Sequence, residues 1–367
     1  VLRLATALGT RGHSVRIVAP HAPGLAERDE IDGIAILRVR YAAPERETLA
    51  YTGTMAEAVR AGWGGRLALL GLVRALGRTT RAIVAHGDAG WRPDLVHAHW
   101  WFPAGLAAVT PRGPGCPLVI TMHGSDVRLA MQLPGAPRLA RQVLRRARVR
   151  TAVSRWLAEQ AMAFGGGAVE AAPMPIDDDV FTPGAHDDRP GDVVLFVGRL
   201  NRQKGVHHLL TAAALATAPV RLRVVGDGPD RAALEAQAAA LGLSDRITWL
   251  PSMTPHRLAD EYRRAAVVAM PSEGEGLGLV GVEAQACGTP VVAFASGGLV
   301  DVVRDGETGC LVPAGDAPAM ARALDALLEH PDRRAAMGRA GVAHVRDRFS
   351  PAAVGERYAA LLHRALT

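Results

Sequence analysis

Lysine is almost missing from this sequence. Of its 42 basic side chains only Lys204 is a lysine, and every other one is arginine. In a composition that avoids the ammonium group, the one that stands suits a place needing a compact cation; the plainer reading of a single residue is chance. Cysteine is also scarce. Cys116, Cys287 and Cys310 lie far apart, which excludes a disulfide framework and suits a reducing cytosol. Aromatic residues make up 4% of the chain, so its cores must be built from Ala, Val and Leu. No run of 18 uncharged apolar residues occurs, which excludes an ordinary membrane-spanning helix.

What is present divides in two. The length of 367 residues suits two domains. Residues 1–172 carry 22 arginines against 12 acidic side chains, whereas the remainder carries 20 basic against 24 acidic. The two parts are therefore built for different surroundings, and the basic one suits an anionic acceptor or an anionic lipid surface. Nucleic acid is a weaker choice, because no binding motif for it is present.

The chain is organised around residues 271–293, P-S-E-G-E-G-L-G-L-V-G-V-E-A-Q-A-C-G-T-P-V-V-A. An apolar strand at 265–270 precedes it. Gly276 and Gly278 let the backbone turn tightly. A helix over about 279–287 follows, closed by Gly288 and Pro290, and the next strand starts at Val291. A strand, a glycine turn and a helix N-terminus together suit a phosphate or an anionic leaving group. Glu275 and Glu283 frame the turn, and carboxylates accept hydrogen bonds from adjacent hydroxyls. The plainer reading is an ordinary βα turn with two solvated glutamates.

Elsewhere strands and helices alternate, which implies parallel sheets covered by helices on both faces. Strands are expected at 15–19, 34–39, 94–99, 117–122, 150–154, 193–197, 220–225, 247–250 and 310–312. Residues 44–90 read as irregular and helix-rich. Their most apolar part, Leu67 to Leu76, is core or a face that meets lipid. His97 and His99 share one strand face, with Trp100 to Phe102 at the strand's end, where ligands gather in open α/β sheets. H-G-S-D (123–126) follows another strand and places a histidine and an aspartate where a catalytic group belongs; the plainer reading is a polar turn with an Asp N-cap. Arg138, Arg141 and Arg145 share a helix face, either solvated or turned to a membrane surface. Asp177 and Asp179 form a D-x-D pair in a proline-flanked linker, a poor setting for a metal. Arg199 and Lys204 lie in a turn before a helix, where two cations can hold a diphosphate. Arg199, Gly226, Pro251 and Glu275 all follow strand ends, so they are expected on one edge.

In this order the motifs resemble the retaining glycosyltransferases of family 4, glycosyl transferases group 1, which have the GT-B fold. The matching pieces are H-A-H (97–99), H-G-S-D (123–126), I-D-D-D-V-F-T-P (176–183), V-G-R-L-N-R-Q-K-G-V (197–206), V-G-D-G-P (225–229), P-S-E-G-E-G-L-G-L-V-G-V-E-A (271–284) and F-S-P with R-Y-A-A-L-L at the end. The resemblance covers nearly the whole chain. It implies two Rossmann-like α/β domains with parallel sheets facing across a cleft: an acceptor-side domain over 1–172, a nucleotide-sugar domain over 173–348, and a last helix over 349–367 that crosses back to the first. By the same resemblance Arg199 and Lys204 hold the diphosphate of a sugar nucleotide and Glu283 the ribose hydroxyls. Glu275 and the backbone from Gly276 through Leu277 and Gly278 to Leu279 hold the transferred sugar. His123 reaches that sugar from the other domain, and Asp126 and Trp100 stand on the acceptor side. The implied reaction moves a hexose-type sugar to a hydroxyl of a glycan, glycolipid or small metabolite, without metal or cofactor, in the cytoplasm or at the inner face of the membrane.

Two departures stand against that pattern. The family usually opens with a strand and a glycine-rich turn, whereas this sequence begins at Val1 with an amphipathic helix, so a truncated start and a missing sheet strand are expected. Pro251–Ser252 replaces a frequent glycine. The competing readings are a GT-B sugar-nucleotide epimerase and a truncated, non-catalytic sugar-nucleotide-binding protein. A pyridoxal-phosphate phosphorylase is disfavoured, because the sole lysine sits in the phosphate-like turn.

Overall fold

Runs of Val, Ile, Leu and Ala bounded by Gly and Pro form the strands of this computed structural model, which describes residues 1–51, 55–60, 62–110, 113–184 and 191–367. The chain divides into two compact units, one made of Val1–Met174 with Val354–Thr367 and the other of Pro175–Ala353.

The first unit holds strands β1 (Arg16–Pro20), β2 (Arg28–Ile31), β3 (Ile34–Val39), β4 (Val96–His99), β5 (Leu118–Met122), β6 (Val149–Ala152) and β7 (Glu170–Ala171). They form two sheets, β1-β3-β2 and β4-β5-β6-β7. All pairings are parallel except β2 with β3. β2 is absent from the sequence-based expectation, because R-D-E-I is exposed along its whole length and shows no apolar alternation. β5 is buried at every position, as a central parallel strand should be.

The region 44–90, read as irregular and helix-rich, contains a 24-residue helix, Trp63–His86. Its glycines mark close packing rather than breaks. A Cβ on Gly71 would lie 2.2 Å from the Tyr41 carbonyl oxygen, and one on Gly77 2.6 Å from that of Ala107. Ala68, Leu72, Ala75 and Leu76 are core, while Leu67 and Leu70 are exposed. Among the described residues no helix is long and apolar enough to cross a membrane. The arginine-bearing helix spans Ala136–Leu144 and buries Ala140, Val143 and Leu144. Arg145 falls just beyond it, and Leu139 is exposed. Several arginines of this unit cap backbone carbonyls: Arg150 donates to Ala168, Leu144 and Ala147, and Arg148 donates to Ala365. The C-terminal helix Pro351–Leu366 packs here through Tyr358, whose hydroxyl donates to the Ala172 carbonyl at 3.0 Å.

The second unit holds β8 (Val193–Val197), β9 (Arg221–Val225), β10 (Ile247–Leu250), β11 (Val267–Met270), β12 (Val291–Phe294) and β13 (Gly309–Val312). They form one six-stranded parallel sheet ordered β10-β9-β8-β11-β12-β13. Sequence order runs one way from β8 to β10 and the other way from β11 to β13. The chain therefore changes direction between β8 and β11, the place where open α/β sheets receive ligands. Both units are thus Rossmann-like α/β layers.

Candidate functional site

In the second unit the site grows from the loops that leave β8 and β11. After β8, Asn201 accepts the Lys204 N–H at 3.1 Å and caps the short turn Arg202–Lys204. Gly205 follows with φ +69°, and a Cβ there would lie 1.9 Å from the Pro271 carbonyl oxygen. Only glycine lets the two loops approach so closely. The Lys204 ammonium donates to both oxygens of Glu275, at 2.8 and 3.0 Å. The sole lysine and the first framing glutamate are therefore direct partners, each about four-fifths buried.

The β11 loop is held from a second side that the sequence reading missed. Gly274 N–H donates to Ser296 Oγ at 3.0 Å, and Gly298 N–H donates to the Glu275 carbonyl at 2.7 Å. A Cβ on Gly297 would lie 2.5 Å from that same carbonyl oxygen. The available signal was the S-G-G triplet (296–298) one residue beyond β12. The positive-φ residues of the turn are Gly274 at +64° and Gly278 at +95°; Gly276 is not among them. Gly278 caps the helix Leu279–Ala286: its carbonyl accepts the Gly281 N–H at 2.9 Å, and the N–H groups of Leu279 and Val280 have no acceptor within the helix. Leu277 is buried beneath the turn and Leu279 is exposed beside it.

Glu283 stands one turn into that helix. Tyr262 donates to its Oε2 at 2.8 Å, and desolvation pushes its carboxyl up to about 7. Arg199 is exposed directly after β8. The ends of β8, β9 and β10 adjoin: Gly198 N–H donates to Val225, Gly226 N–H donates to Leu250, and a Cβ on Gly226 would lie 2.1 Å from the Gly198 carbonyl.

In the first unit, the ends of β4 and β5 bring together a group without formal charge at neutral pH. His99 pairs with Thr121 in the sheet register, so His123 lies just beyond. His99 Nδ1 and His123 Nε2 are 2.9 Å apart, and one of the two carries the shared proton. His97 Nε2 meets Thr121 Oγ1 at 2.7 Å. Burial lowers all three imidazoles, His97 to about 4 and His123 to about 3, so each ring is neutral at pH 7. The Trp100 ring lies 4.6 Å from that of His123 and is about one-third exposed. Its φ of +68° is unusual for a side chain of this size, a strain of about 1–3 kcal/mol of the kind that collects at functional sites.

Asp126 corrects the acceptor-side expectation. Its carboxylate is buried and accepts the N–H groups of His123 and Gly124 on Oδ1 and that of Trp101 on Oδ2, each at 3.0 Å. Both oxygens are spent on the backbone that carries His123 and Trp100. The N-cap of that helix is Gly124. The aspartate therefore positions its neighbours and does not face a ligand. Among the described residues, no group of three or more His, Cys, Asp or Glu side chains is placed to hold a metal.

Comparison with known proteins identifies the family and the fold. Residues 1–180 match Glycosyltransferase Family 4, and residues 184–344 match Glycosyl transferases group 1. The D-inositol 3-phosphate glycosyltransferase of Acidothermus cellulolyticus is 38% identical over 290 residues, covering 70% of this chain and 64% of that protein. The chain thus spans just under two thirds of that relative. The protein of the same name from Frankia alni is 35% identical over 309 residues, covering 75% of this chain and 73% of its own. Among solved structures, sucrose-phosphate synthase from Thermosynechococcus elongatus superposes with a TM-score of 0.79 at 24% identity, covering 99% and 91% of the two chains. Anabaena HepE in complex with UDP-glucose gives 0.70 at 21% identity, covering 90% and 86%. The fold is GT-B, and the chain belongs to glycosyltransferase family 4, glycosyl transferases group 1.

Proposed function

We propose that this protein transfers a hexose-type sugar from a nucleotide-diphosphate sugar to a hydroxyl acceptor with retention of configuration. The observation that carries this reading is the Lys204–Glu275 pair, set where the sheet changes direction and beside a helix N-terminus. Breaking a glycosyl–phosphate bond leaves positive charge on the sugar and negative charge on the departing diphosphate. Arg199, Lys204 and the N–H groups at Leu279 stabilise the second, a preorganised electrostatic role that supplies positive charge without a metal. Glu275, with the backbone from Gly276 to Leu279, orients the sugar hydroxyls and favours the cationic sugar. Glu283 takes the ribose. The acceptor oxygen attacks from the face the phosphate leaves, its proton passes to that phosphate, and no covalent enzyme intermediate forms. His123 is assigned to the sugar and Trp100 to the acceptor.

The relatives' name, D-inositol 3-phosphate glycosyltransferase, makes a small phosphorylated polyol the first acceptor to try, and the arginine excess of the first unit suits an anionic one. A cytosolic setting, with the helix Ala136–Leu144 touching an anionic membrane, belongs to the same proposal and is tested by sedimentation with anionic vesicles. The deciding experiment incubates the protein with UDP-, GDP- or ADP-glucose, with and without inositol phosphate and other hydroxyl acceptors. A glycosylated acceptor formed with release of nucleoside diphosphate supports transfer. A new sugar nucleotide formed without acceptor supports an epimerase. Absence of any thermal shift with every nucleotide contradicts the donor site.

A further inference from the structure

Behind Glu283 stands a buried phenol, Tyr262. We propose that Tyr262 is a positioning residue that fixes Glu283 to read the vicinal diol of a ribose, so that the site selects ribonucleotides over 2′-deoxyribonucleotides. The inference rests on the donor reading above and adds the element that sets its selectivity.

Tyr262 lies on the helix Pro255–Arg264, its side chain fully buried. Its hydroxyl donates to Glu283 Oε2 at 2.8 Å. The residue is anchored elsewhere as well. Its backbone carbonyl accepts from Thr289 Oγ1 at 2.6 Å, and the Phe181 ring meets its own edge-on, 5.9 Å between centroids at 62°. Thr289 is itself fully buried. A phenol held in this way cannot follow a wandering carboxylate, so the carboxylate is held to the phenol.

Lone-pair bookkeeping explains what that holding achieves. An ionised carboxylate offers about four acceptor positions over its two oxygens. Tyr262 takes one on Oε2, leaving Oε1 and the rest of Oε2 for two further donors on neighbouring atoms. Two adjacent ribose hydroxyls supply such a pair. An unanchored glutamate would have to be ordered on binding, at a cost in side-chain entropy. Packing alone would favour phenylalanine here, since a buried hydroxyl loses its water and must be compensated. Burial raises the phenol well above its ordinary titration range, so it stays protonated and remains a donor.

The test uses the whole chain and its Tyr262→Phe, Thr289→Val and Glu283→Gln variants, titrated calorimetrically with ADP, GDP and UDP and with their 2′-deoxy counterparts. One lost hydrogen bond to a charged group corresponds to about tenfold in affinity. The wild-type protein should prefer its ribonucleotide by about that factor. Tyr262→Phe should weaken ribonucleotide binding, leave 2′-deoxyribonucleotide binding nearly unchanged, and shrink the preference to about twofold. Thr289→Val, which removes one of the two donors to the Tyr262 carbonyl (the Ala265 N–H at 3.2 Å is the other) without touching the phenol, should shrink it partway and serves if Tyr262→Phe does not fold. If Tyr262→Phe or Thr289→Val keeps the full preference while Glu283→Gln loses it, the role of Tyr262 is overturned and the donor site stands. If Glu283→Gln changes neither affinity nor preference, the ribose assignment itself fails.

Discussion

The two units use opposite electrostatics at their sheet edges. In the second, an ammonium and a carboxylate meet directly at 2.8 Å next to a helix N-terminus. In the first, neutral imidazoles and an indole gather at the ends of β4 and β5, held from behind by a buried aspartate. A surface that must stabilise a leaving diphosphate needs fixed charge. A surface that must read uncharged hydroxyls gains more from neutral donors and acceptors, which cost less to desolvate. The net charges of the units run the other way, since the arginine-rich first unit has the uncharged cluster. Part of its arginine is explained by carbonyl capping, as at Arg148 and Arg150.

The strongest way to break this contrast is to remove the charge from the second unit. Lys204→Ala should lower turnover by about 10²–10³-fold or more, and Glu275→Ala by a similar factor, with the protein still folded by circular dichroism. Wild-type turnover in either variant would remove the site assignment. His123→Ala should cost less, about tenfold to a hundredfold, because it deletes a neutral hydrogen-bonding group. The wild-type rate should also show no inflection assignable to His123 between pH 5 and 8, since its titration lies near 3. Mapping a rate inflection near 6.5 to His123 by substitution would contradict the neutral cluster.

Asp126→Ala tests how that cluster is held. Three backbone N–H groups, two of them buried and that of His123 partly so, lose their acceptor. Stability should fall by about 1–3 kcal/mol, read as a drop in melting temperature, before any nucleotide is added. An unchanged melting temperature would show that these N–H groups find other partners.

The smallest effect concerns pH and Glu283. Its folded-state value, about 7, lies above the ordinary 4.5, so the folded protein holds this proton more tightly than the unfolded chain does. The stability contributed is fully present below about 4.5 and is lost as pH rises through about 7. Glu283→Gln should flatten that decline in melting temperature across pH 5–8. Ribose hydroxyls favour the ionised carboxylate, so nucleotide affinity should rise with pH over the same window. An identical pH profile in the variant would contradict the assignment.

Much of this was legible in the sequence for physical reasons. Parallel strands buried on both faces leave unbroken apolar runs, so β5, β8, β11 and β12 were visible. A lone lysine in an arginine-rich chain stood out, and its contact with Glu275 follows from the sheet reversal between β8 and β11. The features that were missed depend on tertiary contact. β2 is exposed and charged, with no pattern to detect. Residues 44–90 read as helix-rich, but the unbroken length of the helix Trp63–His86 was hidden by glycines that serve close packing. Tyr262 looks like any buried aromatic until its hydroxyl is placed against Glu283. Asp126 seemed ligand-facing because a local motif does not show that Trp101, 25 residues earlier, donates to it.

The most direct test of the contrast is equilibrium binding of nucleoside diphosphate to the wild-type, Lys204→Ala and His123→Ala proteins. The account predicts about tenfold or greater weakening for Lys204→Ala, from loss of a charge-assisted contact, and unchanged affinity for His123→Ala. Equal affinity in all three, or a loss confined to His123→Ala, would contradict it.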